Sequence, residues 1–536
     1  MSTPTLADAA GPKRDSMTSN DPAAKAEKAE IEASRGNGHE AKYNHPLAKL
    51  GQSRKNFLLF VFSIASFIDV CNISGVAIAV AQIQSDIGLG LSQIVWIITS
   101  YSLCFSAFLL LGGRLSDLVP AQLVFEGGFV ALGIISLITS FVTSNKYGFL
   151  ILRGLGGISG AMTIPSAYHL LVAMFPNPEE QEKKLALLGM AGAIGNVLGL
   201  VLAGICMLAN YRWFFRVIAI LCIVFSILTI VFLPYTPSSY SQEKDAMPRW
   251  KRLDLVGVVL MAGTLICFIL ALTQGPIDGW SSASFIAPFI LAWFIGVGFF
   301  LWESYIPPIS AVLPSSLWKT SNIIISSLAV LFPFAFWATS QLGYSTYFQD
   351  ELHWKPIHVA AAIVPQGVMG LIVGGSAQFV PQIISKPRHT IAIGAVLIII
   401  GEILQVLSNG GHGKDYWKFV FPGFIVGSAG AILSFFAASI NLITSCPPEM
   451  AGVAGAWTQV LAQVGGAICL AVQAGLQGNN LDDWKHSSAR GFYFMIAFTA
   501  VLAIQYVVFY KTPESKEREH ELARERIAAS GRGEGV

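Results

Sequence analysis

Charge is what this chain has least of: Lys, Arg, Asp and Glu make 12% of its 536 residues, against 54% apolar residues. Mean hydropathy is +0.60. A soluble domain carries about twice that share of charge, so a water-facing surface on all sides is excluded. The formal net charge of +2 is too small to draw a nucleic-acid partner. Cysteine patterns are missing too. The seven cysteines (Cys71, Cys104, Cys206, Cys222, Cys267, Cys446, Cys469) stand in or beside apolar runs, with no CxxC pair and no Cys/His cluster. That argues against disulfides and thiolate metal sites and leaves small apolar packers. The chain has no Walker-type phosphate loop, no HExxH and no GxSxG, so direct ATP drive and those hydrolytic chemistries lack their residues. A membrane-embedded acyltransferase would need paired His/Asp or His/Glu residues at one membrane face, and none is found. Neither a catalytic residue nor a cofactor or metal is expected. The first 50 residues lack the apolar core of a cleavable signal. They carry Lys25, Glu27, Lys28, Glu30 and Glu32 among Ala, Pro and Ser, and read as a disordered tail.

Long apolar runs are what the chain has in abundance. About fourteen occur, most of roughly 20 residues, each long enough to cross a bilayer as a helix. They begin near Phe57, Gln93, Gln122, Gly148, Ala186, Trp213, Asp254, Ser284, Ser321, Ile357, Thr390, Trp417, Met450 and Gly491. The expected division is a cytoplasmic tail (1–55), a six-helix bundle (56–233), a basic linker with two extra helices (234–320), a second six-helix bundle (321–511) and a cytoplasmic tail (512–536). Basic residues orient the array. Lys49, Arg54, Lys55, Lys183, Lys184, Lys386, Arg388 and the linker's Lys244, Arg249, Lys251 and Arg252 fall on one side. Fewer fall on the other, which places both termini inside. The fold class is therefore an all-α integral membrane protein. Two groups of six helices suit a transporter built from repeated bundles around a central site, although a receptor array or a membrane-embedded enzyme could share the span count.

Motifs separate these readings. The segment after the second run reads Gly112-Gly113-Arg114-Leu115-Ser116-Asp117-Leu118 and is expected to be a loop. Glycines there let another helix approach, and Asp117 can cap a helix or pair with a cation. The fourth run holds Arg153-Gly154-Leu155-Gly156-Gly157-Ile158-Ser159-Gly160-Ala161. An arginine inside a span faces water or a partner; the alternative is one held by backbone carbonyls. In the fifth run Gly189, Gly192, Gly195, Gly199 and Ala203 fall within a stripe about 120° wide, on which a neighbouring helix can lie. In the first run Ser66, Asp69 and Asn72 share a face. A carboxyl inside a span is a candidate for proton exchange, or else an acid permanently paired to an arginine or satisfied by polar neighbours.

These stretches resemble the signatures of the major facilitator superfamily, across Phe57 to Tyr510. Gly113 and Asp117 match the signature after the second span, but Pro120-Ala121-Gln122 replaces its basic tail. Arg153, Gly157 and Ala161 match the fourth-span signature, with Gly156 in place of the usual glutamine. Gly195-Asn196-Val197-Leu198-Gly199 is similar to the antiporter signature, with Asn196 in place of its proline. Asp69 stands where the fourteen-span drug:proton antiporters have an aspartate, with Cys71 near their usual threonine. Within that branch the chain looks most like fungal aminotriazole- and boron-resistance exporters and low-affinity ammonium transporters.

The second half is quieter. Trp337, Gln341 and Tyr344 share one helix face, a mixed stripe that suits a cavity for flat or amphipathic molecules and equally suits packing. Pro365-Gln366-Gly367 is expected to interrupt its span as a hinge. Glu402, with Gln405 one turn on, is the only acid deep in this half: a second proton site, or a residue closer to the interface. Gln459 and Gln463 share a face before Gly465-Gly466. His169 and Asn441 read as interhelical hydrogen-bonders.

The resemblance implies a major facilitator fold and a proton-coupled exporter of a small toxic molecule, drug or secondary metabolite, working by alternating access. Asp69, Arg153 and Glu402 would carry the proton step, with the arginine close to Asp69. Asn72, Trp337, Gln341, Tyr344, Gln366, Gln459 and Gln463 would meet substrate, while Gly113, Asp117, Gly157, Gly195, Asn196 and Gly199 would serve the conformational change. The expected partners are a small-molecule substrate, protons and the lipid bilayer, with no nucleic acid, for a monomer in the plasma membrane or, alternatively, the vacuolar membrane. Uptake of a small polar solute such as ammonium or borate is the second reading, and a transporter-like membrane sensor the third.

Overall fold

Backbone polar groups inside a bilayer must bond within their own segment, and a helix satisfies them all. The computed structural model describes residues 46–89, 95–142, 145–235, 254–307, 311, 313, 315–318, 322–376, 386–445, 451–476 and 488–511. Among the described residues, fourteen helices are long and apolar enough to cross a membrane. They are α1 (Gln52–Ile87), α2 (Val95–Leu118), α3 (Ala121–Thr139), α4 (Lys146–Met174), α5 (Pro178–Cys206), α6 (Tyr211–Phe232) and α7 (Leu255–Asp278). There follow α8 (Ala283–Tyr305), α9 (Ile323–Asp350), α10 (Pro356–Ser376), α11 (Pro387–Leu407), α12 (Phe421–Thr444), α13 (Ala451–Leu476) and α14 (Ser488–Phe509). Residues 1–45, 236–253 and 512–536, to which the sequence assigns the tails and the basic linker, lie outside the described residues.

Local chemistry sets several ends. Asn145, Asn210, Asp254 and Ser282 each accept a backbone N–H from the first turn of α4, α6, α7 and α8, respectively, which satisfies donors a helix start would leave bare. Gly88 closes α1 in a left-handed conformation, its N–H returning to the Gln84 carbonyl.

Three expectations are corrected. First, α1 and α5 begin at Gln52 and Pro178, ahead of Phe57 and Ala186. Hydropathy marks only the apolar part, whereas proline at a helix start followed by Glu179 and Glu180 favours helix well before the apolar run. Second, the stretch Gly112–Leu118 is not a loop; α2 continues to Leu118 and the chain turns at Pro120. Third, Pro365-Gln366-Gly367 does not interrupt its span, since α10 runs unbroken from Pro356 to Ser376. Membrane helices tolerate an internal proline when neighbours re-satisfy the freed groups.

The helices pack in a pattern that positions the site. In the first group α1 lies on α5, α2 on α4, and α3 on α4 and α6; in the second, α9 lies on α12, α13 and α14, and α11 on α12 and α14. The two groups meet where α5 runs along α10 and where α2 runs along α13, and α7 touches both α2 and α13. Small residues make these approaches close. A β-carbon on Gly195 would collide with the Phe67 carbonyl, and one on Gly199 with Cys71 and Ser74, so the stripe on α5 is the seat of α1. Gly189, in the same stripe, faces open space. The outside is apolar. α8 rests on α7 and turns Trp293, Phe294 and Leu301 outward, the surface a lipid-facing helix presents.

Candidate functional site

Three polar side chains converge where α1, α2 and α4 meet. Asp69 (α1), Tyr101 (α2) and Arg153 (α4) are each at most 3% exposed. The Tyr101 hydroxyl donates to Asp69 Oδ1 at 2.5 Å. The same ring carries the arginine, whose Cζ lies 4.8 Å from the Tyr101 centroid and 5.9 Å from that of Phe215. Arg153 Nε donates to the Ile97 carbonyl at 3.1 Å, and Nη2 to the Asn72 carbonyl at 3.0 Å. One guanidinium thus clamps α1 and α2 to α4 through their backbones.

This corrects the expected neighbourhood of Asp69. No ion pair joins Asp69 to Arg153; Tyr101 stands between them, and the arginine has the carbonyl-held geometry that the sequence offers as its alternative. Asn72 is also buried, but its amide donates to Ile68 on its own helix at 3.2 Å. Beside the clamp, Asn72, Tyr101, Ser136, Arg153, Gly156 and Phe215 line a cavity of about 10 Å³, room for about one water molecule.

Glycines make the convergence possible. A β-carbon at Gly160 would lie on Asp69 Oδ1 and the Tyr101 hydroxyl. One at Gly157 would strike the Tyr101 carbonyl and sit 3.0 Å from Phe105 N. At the end of α2 it is Gly112, tight against the Ala161 carbonyl, that makes the close approach, while Gly113, which matches the signature, has only an ordinary contact at 3.8 Å with Pro165. The Asp117 side chain lies outside the described residues. Asn196 is half-buried on α5. Cys71 donates to the Gly195 carbonyl at 3.2 Å. The six cysteines among the described residues are free, and Cys446 lies outside them.

In the second half, Glu402 on α11 is fully buried, and among the described residues neither carboxyl oxygen has a hydrogen-bond partner. Gln405 accepts from Ser340 at 3.1 Å, while its amide nitrogen has no partner there. Tyr344 bonds Ser408 at 2.9 Å and stacks on Phe492, so it braces α9 against α11 and α14. Trp337 donates to Ser428 on α12 at 3.3 Å. Gln341 and Gln463 are buried and Gln459 is half-buried, on the packed pair α9 and α13. Gln366 on α10 is fully buried, and among the described residues neither of its side-chain polar atoms has a hydrogen-bond partner. Asn441 bonds Ser326 and Tyr506, the interhelical role expected of it, and the His169 side chain is exposed on α4.

The Major Facilitator Superfamily model matches residues 62–469. The chain belongs to the Major Facilitator Superfamily. It is a multi-pass membrane protein and a transporter rather than an enzyme, and its fold is that of secondary-active movement of a small molecule. This member of the superfamily is 27% identical over 421 residues to the puromycin resistance protein pur8 of Streptomyces alboniger, covering 77% of this chain and 80% of that one. It is 26% identical to the low affinity ammonium transporter of Saccharomyces cerevisiae, covering 75% and 76%. The crystal structure of the nucleoside transporter NupG superposes with a TM-score of 0.56 at 13% identity, over 85% of this chain and all of that one, a likeness of fold alone.

Tyr101 is the site residue that sequence reasoning missed. Tyrosine is common near the ends of spans, and nothing in its own helix marks its hydroxyl as aimed at Asp69.

Proposed function

We propose that this transporter expels a small toxic molecule, drug or secondary metabolite in exchange for protons, by alternating access of its two helix groups. It would stand in the fourteen-span drug:proton antiporter branch, near the fungal aminotriazole- and boron-resistance exporters. The observation that carries the reading is Asp69: a carboxyl buried in a span, held by one hydroxyl and seated one ring away from an arginine. Intramembrane carboxyls of this kind are costly unless used. Asp69 is the proton carrier and Arg153 the cation beside it. Glu402 is a second proton-binding acid, a buried carboxyl with no hydrogen-bond partner among the described residues, in a position that an apolar side chain would fill at less cost. Asn72, Trp337, Gln341, Gln366, Gln459 and Gln463 are assigned to the substrate path. Tyr344 is assigned to bracing, since its hydroxyl is engaged within the second group. Gly113, Asp117, Gly157, Gly195, Asn196 and Gly199 serve the packing that changes during transport. The protein would act in the plasma membrane with both termini in the cytoplasm. Similarity to a puromycin resistance protein supports export.

A second reading, uptake of a small polar solute such as ammonium or borate, is favoured by the similarity to a low affinity ammonium transporter. One experiment separates the two. A transporter-deficient yeast host would express the wild type or Asp69→Asn and be challenged with puromycin, azole-like heterocycles, lipophilic cations, borate and methylammonium. Resistance that disappears in a membrane-localised Asp69→Asn protein supports proton-driven export. Hypersensitivity to methylammonium or borate with the wild type means uptake, and the export reading falls.

A further inference from the structure

We infer that Tyr101 is a positioning residue that relays the proton state of Asp69 to the Arg153 clamp, which rests on the reading of Asp69 as proton carrier. The inference starts from two ends of one side chain. Its hydroxyl donates to Asp69 Oδ1 at 2.5 Å, and its ring seats the guanidinium at 4.8 Å. A hydrogen bond from a hydroxyl stabilises a carboxylate more than a neutral acid, so the bond is strong when Asp69 is ionised and weaker when it is protonated. The ring cannot follow that change without moving the surface on which Arg153 lies.

The arginine is not free to ignore it. Its two backbone bonds go to Asn72, three residues after Asp69, and to Ile97, four residues before Tyr101. A shift of the ring therefore acts on the contacts that hold α1 and α2 to α4. The small cavity gives room for the shift. Gly157 and Gly160 press the tyrosine from α4, whereas the small cavity opens beside its ring and the guanidinium. The competing titratable neighbours of Asp69 are few. From α6 comes Cys222, from its own helix Cys71, and from α4 Arg153 behind the tyrosine. α5 presents Gly192, Gly195 and Gly199 to this stretch of α1, and α9 bonds α1 farther along, at Ala77.

The test needs no transported substrate. The full chain would be reconstituted in liposomes, and the protonated-carboxyl infrared band that Asp69→Asn removes would be followed against pH. Tyr101→Phe keeps the ring under Arg153 and removes only the donor. Its Asp69 band is expected to titrate about one pH unit higher than in the wild type. Arg153→Lys keeps the charge but cannot bridge two carbonyls from a planar fork. It should displace the band in the wild type and much less in the Tyr101→Phe background, because the link between them has been cut. An unmoved band in Tyr101→Phe overturns the hydroxyl's part. Equal displacement by Arg153→Lys in both backgrounds overturns the relay. A wild type in which no Asp69 band titrates overturns the proton-carrier reading itself, and this inference with it.

Discussion

At the scale of single residues, the space around one atom decides what a substitution does. Gly156 and Gly157 are neighbours on α4 with opposite surroundings. A β-carbon on Gly156 would sit 3.5 Å from the Tyr101 ring, an ordinary contact, whereas one on Gly157 would strike the Tyr101 backbone. Gly156→Ala is therefore expected to be neutral or to gain up to ~1 kcal/mol of helix propensity. Gly157→Ala should lose about 1–3 kcal/mol by overpacking. Thermal melting of the two proteins in detergent measures the difference, and equal melting points would contradict the packing described. Glu402 gives the converse case. Replacing a buried acid that has no hydrogen-bond partner among the described residues by an apolar side chain of similar length removes a desolvation penalty, so Glu402→Met should melt higher than the wild type by an amount equivalent to about 1–3 kcal/mol. Its proton-driven transport should fall at the same time. A variant both less stable and fully active would show that the carboxyl is held by groups other than those described. Asp69 and Arg153 were legible from the sequence because a charge inside an apolar run is conspicuous there; their geometry was not, since it depends on a tyrosine from another helix.

At the scale of elements, the close pairs are set by which glycines meet a backbone. α1 seats on α5 at Gly195 and Gly199, while Gly189 in the same stripe faces nothing within 4 Å. Periodicity alone ranks the three as equivalent. The structure predicts that Gly189→Ala is silent and that Gly195→Ala separates α1 from α5, with a loss of about 1–3 kcal/mol. Membrane yield and detergent melting of the pair provide the check, and a tolerated Gly195→Ala would overturn the assigned seat. The same logic explains the corrected ends. Gly112-Gly113 looks like a break in a soluble protein, where glycine weakens a helix by roughly 1 kcal/mol. In a bilayer an unbonded backbone costs more, so α2 continues to Leu118 and the glycine serves contact with α4.

At the scale of the whole molecule, the two helix groups meet along α5 and α10 and along α2 and α13. A β-carbon on Gly204 would lie 3.1 Å from Ala360 Cβ, slightly closer than the roughly 3.5–4.5 Å that a disulfide spans, so a small adjustment suffices. If the groups rock against each other, the double variant Gly204→Cys, Ala360→Cys should cross-link under mild oxidation. Transport should then stop by at least tenfold and return on reduction, with each single variant active in both conditions. Full transport by a protein shown to be cross-linked would rule out rocking at this contact. The chain is similar over at least 75% of its length both to a puromycin resistance protein and to a low affinity ammonium transporter, so the fold alone does not select a substrate.

Membrane residence, the number of spans and the family signatures were determined by the sequence itself, because transfer into a bilayer is a sum over each segment's own residues and needs no neighbour. So was the presence of Asp69 and Arg153 inside spans of the first half. The rest was decided in three dimensions. That Tyr101 rather than Arg153 touches Asp69, that carbonyls rather than a carboxylate hold the arginine, that Gly112 and not Gly113 is tight, and that Glu402 stands without a described hydrogen-bond partner all depend on the rotation of each helix about its axis. Hydropathy does not specify that rotation. Packing among fourteen helices does, through small residues and interhelical hydrogen bonds whose two halves lie far apart in the chain.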